Sequence, residues 1–121
     1  MESEPSLGSL LIEGFMDVIW DVWTGWPSQI DVNSRLGPLT RSDHCSSFRI
    51  GITGNPYERA SRYEASYDEL IVLYESDSGQ HADDTQRYLT YYYWDYCDNT
   101  MNGEEALTSP PYYLYLVRRR N

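Results

Sequence analysis

The sequence predicts a small α/β domain of the α+β type, in which three strands and their flanking helices follow an N-terminal amphipathic helix. The chain has 121 residues, the length of a single domain. Hydrophobic residues make up 40% of it and aromatic residues 15%, a composition that supports a packed core. Segments of strand character alternate along the chain with segments of helical periodicity, which is typical of this class.

The first 45 residues are predicted to form a helix and a polar connector. Ser6–Thr24 carries apolar residues at every fourth position, namely Leu11, Phe15, Ile19 and Trp23. Gly25 and Pro27 follow as stop signals, and residues 28–45 are rich in polar and turn-forming residues. The helix packs on the domain's own core or, because several tryptophans widen its apolar surface, mediates contact with a partner protein or a second copy.

Residues 46–121 are predicted to form the main domain. Its expected elements are the strand Ser46–Ile52, a helix from Asn55 to about Glu64, the strand Asp68–Glu75, a helix from His81 to about Tyr96, and the strand Tyr112–Val117. Asn55 is a good helix cap, and Pro56 suits the first helical position. The apolar run in the second of these strands favours a central place in the sheet.

Charge and cysteine content narrow the possible partners. The formal net charge is -10, and all nine basic residues are arginines, so generic affinity for nucleic acid is expected to be weak outside a local arginine patch. Cys45 and Cys97 are not in a zinc-binding spacing. The acidic N-terminus is unlike a signal peptide, and acidic residues interrupt the longest apolar stretch. We therefore expect an intracellular protein (cytoplasmic or nuclear) with free thiols and no membrane partner.

The stretch from Arg49 to Arg59 resembles the second half of the GIY-YIG nuclease signature. It reads RIGITGNPYER, with Arg59 eight residues after Gly51 and at the start of a helix capped by Asn55 and Pro56. The resemblance implies a three-stranded, mainly antiparallel sheet flanked by helices. It also implies an endonuclease that hydrolyses phosphodiester bonds in DNA or RNA with one divalent metal ion, Mg²⁺ or Mn²⁺.

The first half of that signature is similar to the C-terminal stretch from Pro111 to Arg118, which reads PYYLYLVR. In the family this strand opens the domain, so its position here implies a circular permutation in which the last strand lies against Ser46–Ile52 and brings a tyrosine hydroxyl beside the Arg59 guanidinium. Tyr115 then corresponds to the first tyrosine of the family, and Tyr113 is the alternative. The other interpretation is an ordinary edge strand with alternating aromatic residues.

The resemblance implies roles for five residues near the second strand of the signature. Arg59 would clamp the scissile phosphate through its planar fork, with Arg62 and Arg49 completing an anion site. Gly51 would let the backbone approach the phosphate closely, and Tyr63 would hydrogen-bond the phosphate or the attacking water. Arg49 stands where the family usually has tyrosine, and an arginine cannot serve as a general base. Alternatively, the two helical arginines only pair with neighbouring acidic residues.

The metal position departs from the family. Gln86 stands where the metal-binding glutamate is expected, and a neutral amide is a poor substitute for a carboxylate at a magnesium site. Asp83, one helical turn earlier, is a weak candidate for the missing ligand. Glu104 and Glu105, in the loop before the last strand, are further candidates.

Three functions remain open at this point. The first is a GIY-YIG-like metal-dependent endonuclease, impaired at its metal position. The second is a noncatalytic binding module whose tyrosine-rich surface contacts a protein or a nucleic-acid end. The third is an acidic protein that mimics nucleic acid and inhibits a nucleic-acid-binding protein.

Overall fold

A four-stranded mixed sheet lies between helices on its two faces. The computed structural model describes residues 16–23, 28–99 and 109–120. In chain order the elements are β1 (Asp17–Trp23), α1 (Gln29–Thr40), β2 (Cys45–Thr53), α2 (Pro56–Tyr63), β3 (Glu69–Ser76), α3 (Gly79–Tyr92) and β4 (Tyr112–Arg120). The strand order is β1-β3-β4-β2, with β4 antiparallel to both of its neighbours and β1 parallel to β3. The α/β class is thus confirmed, with one strand more than predicted.

The fourth strand lies where the sequence predicts a helix. Residues 17–23 of the predicted helix Ser6–Thr24 form β1, while residues 6–15 lie outside the described part of the chain. The segment DVIWDVW is rich in β-branched and aromatic residues, which pack well on a pleated surface. Its backbone pairs with β3, Trp20 opposite Val72, and this tertiary pairing prevails over the helical periodicity. The predicted partner helix is therefore wrong for residues 17–23.

A helix also replaces most of the predicted connector. Ser28 caps α1 through a reciprocal pair of bonds, because its hydroxyl accepts from the Asp31 backbone N–H at 3.1 Å and the Asp31 carboxylate accepts from the Ser28 N–H at 3.1 Å. The buried residues of this polar helix are Val32 and Leu36, which lie one turn apart and form a narrow apolar stripe. The prediction of a connector over residues 28–45 is therefore wrong for α1.

The remaining elements lie close to their predicted positions. The three predicted strands correspond to β2, β3 and β4, and α2 begins at Pro56 under the cap of Asn55. β3 is an interior strand, as its apolar run indicates. β4 continues to Arg120, beyond the predicted end at Val117, because the Arg118 guanidinium pairs with the buried carboxylate of Glu69 on the neighbouring strand.

The alternation of side chains along the strands gives the sheet two apolar faces. We call the face under α2 the α2 face; its buried residues are Ala60, Tyr67, Leu70, Val72, Tyr115 and Val117. The opposite face, covered by α1 and α3, buries a larger set that includes Val32, Leu36, Phe48, Ile50, Leu73, Leu89, Leu114 and Leu116. In the described ranges, no helix has the length and apolar character needed to cross a bilayer.

Candidate functional site

The antiparallel pairing of β2 with β4 joins the two halves of the resemblance. Gly51 lies opposite Tyr115, and Thr53 lies opposite Tyr113. Directly opposed residues of an antiparallel pair project to the same face of the sheet. The expected contact between the last strand and Ser46–Ile52 is therefore present.

Helix α2 carries Arg59 toward this strand pair. The Asn55 side chain accepts hydrogen bonds from the backbone N–H groups of Tyr57 at 3.1 Å and Glu58 at 3.2 Å, which fixes the first turn of the helix. Arg59 lies one turn further and faces the sheet. Its Nη1 donates a hydrogen bond to the Tyr115 hydroxyl at 3.3 Å, and its guanidinium carbon lies 6.0 Å from the centre of the tyrosine ring.

The Arg59–Tyr115 pair lies inside the protein. Arg59 is 3% exposed and Tyr115 is 0% exposed, and Tyr115 packs in the core of the α2 face with Val72 and Val117. A phosphate group could reach the guanidinium only after packed side chains moved aside. The structure thus brings these two predicted site residues together but does not present them at the surface.

A second group of predicted residues lies near the outer edge of β2. The Arg49 guanidinium carbon stands 5.6 Å from the centre of the Tyr63 ring, and its Nη1 donates to the Asp98 backbone carbonyl at 3.4 Å. Tyr63 contacts Tyr67 edge to face, with ring centres 5.7 Å apart. The Tyr67 hydroxyl donates to the Asp98 carboxylate at 2.6 Å. Burial, and after it this bond to the carboxylate, raise the pKa of Tyr67, so the phenol keeps its proton at alkaline pH values where an exposed tyrosine ionises.

Amide side chains form hydrogen bonds with backbone groups on the free edge of β2. Asn99 forms a two-point pair with the Ile50 backbone: the Ile50 N–H donates to its Oδ1 at 3.0 Å, and its Nδ2 donates to the Ile50 carbonyl at 2.7 Å. The Gln86 Nε2 donates to the same carbonyl at 3.5 Å. An ionised carboxylate at position 86 could not donate this bond. Gln86 therefore contributes to covering an edge strand, which sequence reasoning did not anticipate.

Other predicted site residues are engaged elsewhere. The Arg62 Nε bonds the Glu58 carboxylate at 2.7 Å on an exposed helix surface, and the Asp83 carboxylate bonds the Arg87 Nε at 2.9 Å. Asp83 belongs to α3, which packs on the face opposite to Arg59. Glu104 and Glu105 lie outside the described residues. Within residues 16–23, 28–99 and 109–120, no three His, Cys, Asp or Glu side chains form a group that could hold a metal ion. At the position where the resemblance implies the metal-binding glutamate, Gln86 supplies a neutral amide that donates to the Ile50 carbonyl, and this amide is a poor fit to the implied divalent ion.

Tyr113, the alternative to Tyr115, belongs to an aromatic cluster that sequence reasoning missed. Its ring contacts Trp20 edge to face, with centres 5.4 Å apart, and the Trp20 indole N–H donates to the Tyr57 hydroxyl at 2.9 Å. Interpreting β1 as a helix concealed this cluster, because its rings come from three separate elements.

Compared with protein-family models, with curated proteins and with solved structures, the chain matches none of them.

Proposed function

We propose that this chain is a GIY-YIG-like domain that acts by binding and does not hydrolyse phosphodiester bonds. The observation that carries the proposal is the burial of Arg59 and Tyr115 against each other. A phosphate clamp must meet its substrate, whereas this guanidinium is held within the α2 face by a tyrosine hydroxyl. The pair then serves to fix α2 on the sheet, and the surface around it is available for a different ligand.

Descent from a permuted GIY-YIG domain is supported by strand pairing and by one helix. The permutation requires the C-terminal strand to lie against the strand Ser46–Ile52, and β4 pairs antiparallel with β2. It also requires the arginine-bearing helix to follow β2 and to reach the last strand, as the Arg59–Tyr115 hydrogen bond does. The edge strand β1 is an addition to this arrangement.

The chemistry of the remaining side chains supports binding over hydrolysis. Gln86 and Asn99 supply neutral amides near β2, where a hydrolytic site needs a carboxylate to hold its metal. An arginine side chain, as at position 49, cannot act as the general base that activates water. Among the described residues, this neighbourhood stabilises a sheet edge by hydrogen bonding, and the carboxylate within it, that of Asp98, accepts a hydrogen bond from the Tyr67 hydroxyl at 2.6 Å.

A metal-dependent endonuclease is the second candidate, favoured by the convergence of Gly51, Tyr115 and Arg59 at one strand pair. In that function Arg59 would hold the phosphate of a DNA or RNA substrate, and Tyr115 would hydrogen-bond the attacking water. Both residues would have to become accessible on substrate binding. Mg²⁺ or Mn²⁺ would be the cofactor.

Plasmid nicking separates the two functions. Wild-type protein, Gln86→Glu, Tyr115→Phe and the double variant Gln86→Glu/Tyr115→Phe are incubated with supercoiled DNA in manganese buffer, and the open-circular fraction is followed over time. We expect all four to match the protein-free rate, because restoring one carboxylate leaves Arg59 buried. Manganese-dependent nicking by the wild type or by Gln86→Glu that is lost in the corresponding Tyr115→Phe variant, with circular dichroism showing that this variant is folded, would establish the nuclease instead.

A further inference from the structure

Three aromatic side chains meet at one end of the α2 face. Trp20 comes from β1, Tyr57 from the first turn of α2, and Tyr113 from the start of β4. The ring centres of Trp20 and Tyr113 are 5.4 Å apart with their planes at 89°, and those of Trp20 and Tyr57 are 5.9 Å apart with their planes at 43°. We call this group the aromatic corner.

The aromatic corner is accessible and already ordered. Trp20 is 43% exposed and Tyr57 is 62% exposed, so large ring surfaces face solvent. The hydrogen bond from the indole N–H to the Tyr57 hydroxyl at 2.9 Å holds the indole against rotation. Binding of a ligand to these rings therefore costs little conformational entropy, because the rings are already fixed.

A carboxylate lies beside the rings. Glu75 of β3 is opposite Tyr113 in the antiparallel register, so the two side chains project from the same face. Glu75 is exposed. Burial of the Tyr113 phenol, and after it the negative charge of Glu75, raise the pKa of Tyr113. The chain as a whole has a net charge of -10. The aromatic corner therefore combines electron-rich ring faces with the nearby negative charge of Glu75.

We propose that the aromatic corner, with Glu75, binds a methylated ammonium group. The faces of Trp and Tyr attract cations, Trp most strongly, and a nearby carboxylate adds to the attraction. The two exposed rings, Trp20 and Tyr57, have centres 5.9 Å apart and planes tilted by 43°, so a rounded cation can contact both, whereas a planar guanidinium stacks on one ring only. Methylated ammonium also loses water more easily than a primary ammonium. This inference rests on the proposed binding function, for which it names the ligand.

The charge next to the corner argues against a nucleotide as the occupant. Aromatic surfaces also stack nucleobases, but a nucleotide brings phosphate charge with it. Here that charge would approach Glu75 in a chain of net charge -10. A trimethylated lysine of a protein partner and free choline share the required cation, and the experiment below tells them apart.

The test is an NMR titration of the isotope-labelled full chain, following the Trp20 indole N–H resonance, which is assigned by its loss in Trp20→Phe. The probes are choline, its neutral tert-butyl analogue, a trimethyllysine peptide, the same peptide with unmodified lysine, and adenosine monophosphate. We expect saturable shifts with choline and larger ones with the trimethyllysine peptide, and weak or no shifts with the other three probes. Choline binding as tight as the peptide would identify the small molecule as the ligand.

Matched variants test which groups hold the cation, and choline binding to them is followed through the backbone amide resonances of Glu75 and Tyr113, because Trp20→Leu removes the indole signal. Trp20→Leu should weaken choline binding by about tenfold or more, and Glu75→Gln by about threefold to fivefold, whereas Tyr91→Ala and Asp77→Asn should leave it unchanged. Tyr91 is 86% exposed on α3, and Asp77 is an exposed carboxylate outside the corner. Equal shifts with choline and its neutral analogue, no shift with any cation, or tighter binding of the nucleotide would overturn the inference. The nicking assay is unaffected by these results, so failure of the proposed function is seen separately.

Discussion

Replacing Tyr115 with Phe removes a single oxygen atom from the centre of the molecule. That oxygen accepts a hydrogen bond from Arg59 Nη1 at 3.3 Å, and both residues are buried. The ring and its packing stay, so the substitution measures the hydroxyl alone. If the Arg59–Tyr115 pair is structural, as we propose, its loss must destabilise the folded state.

The expected size follows from the charge of the donor. Hydrogen bonds to charged groups contribute about 1.5–3 kcal/mol, and a buried guanidinium that loses one acceptor keeps the desolvation cost of that donor group. A donor–acceptor distance of 3.3 Å is at the long end of the normal range, so we expect about 1.5–2 kcal/mol. With a urea dependence of about 2 kcal/mol per molar, the unfolding midpoint should fall by roughly 1 M.

Urea unfolding followed by circular dichroism measures this change, with Tyr113→Phe as the control. Tyr113 is half-buried on the same strand and the same face, and its loss of a hydroxyl should change the free energy of unfolding by less than about 0.5 kcal/mol. A Tyr115→Phe variant as stable as the wild type, or more stable, would refute the reasoning. Such a result would indicate that the Arg59–Tyr115 pair is retained for activity and does not stabilise the fold.

Three further predictions concern the surroundings of this pair. Asn55→Ala should lower the free energy of unfolding by about 1 kcal/mol in urea, because the cap of α2 is lost; an unchanged midpoint would show that the cap does not position Arg59. Asn99→Ala should speed hydrogen exchange of the Ile50 amide by about fivefold to tenfold at native conditions, since its acceptor is removed; an unchanged rate would mean that residues 98–99 do not protect the β2 edge. The wild type should lose stability as pH rises above about 10, because an unfolded tyrosine ionises there while Tyr67 has a raised pKa and stays protonated. Tyr67→Phe should therefore show a flatter decline in alkaline urea titrations, and equal slopes would contradict the raised pKa.

Local signals explain why half of the fold was predictable from the sequence. The apolar run of residues 70–74 is long enough for an interior strand, and the pair Asn55-Pro56 both caps and starts α2. The C-terminal strand was identified as a partner of β2 because its aromatic pattern resembled one family's opening strand. Each of these predictions depended on a few adjacent residues.

Tertiary contacts explain the errors. In residues 17–23 the apolar positions fit both a helix and a strand, and the free edge of β3 decides between them by supplying backbone partners. The capping pair of Ser28 and Asp31 was present in the sequence, but the polar composition that follows it concealed α1.

The contacts between the candidate site residues could be predicted from the sequence, but their burial could not. The spacing of Gly51 and Arg59 correctly brings the arginine to the last strand. Whether its guanidinium then faces solvent depends on how Tyr115 and the neighbouring strands pack, and no sequence pattern reports this. Gln86 is a similar case, since its contact with the Ile50 carbonyl depends on where α3 lies along β2.

The exchange rate of the Arg59 Nε–H with solvent tests the central claim most directly. NMR of the full chain measures this rate and the position of the signal before and after addition of single-stranded DNA with Mg²⁺. A guanidinium buried as a structural element should exchange slowly, and its signal should stay in place when DNA is added. Fast exchange, together with a DNA-dependent shift of this signal, would show an open phosphate-binding site and contradict the account.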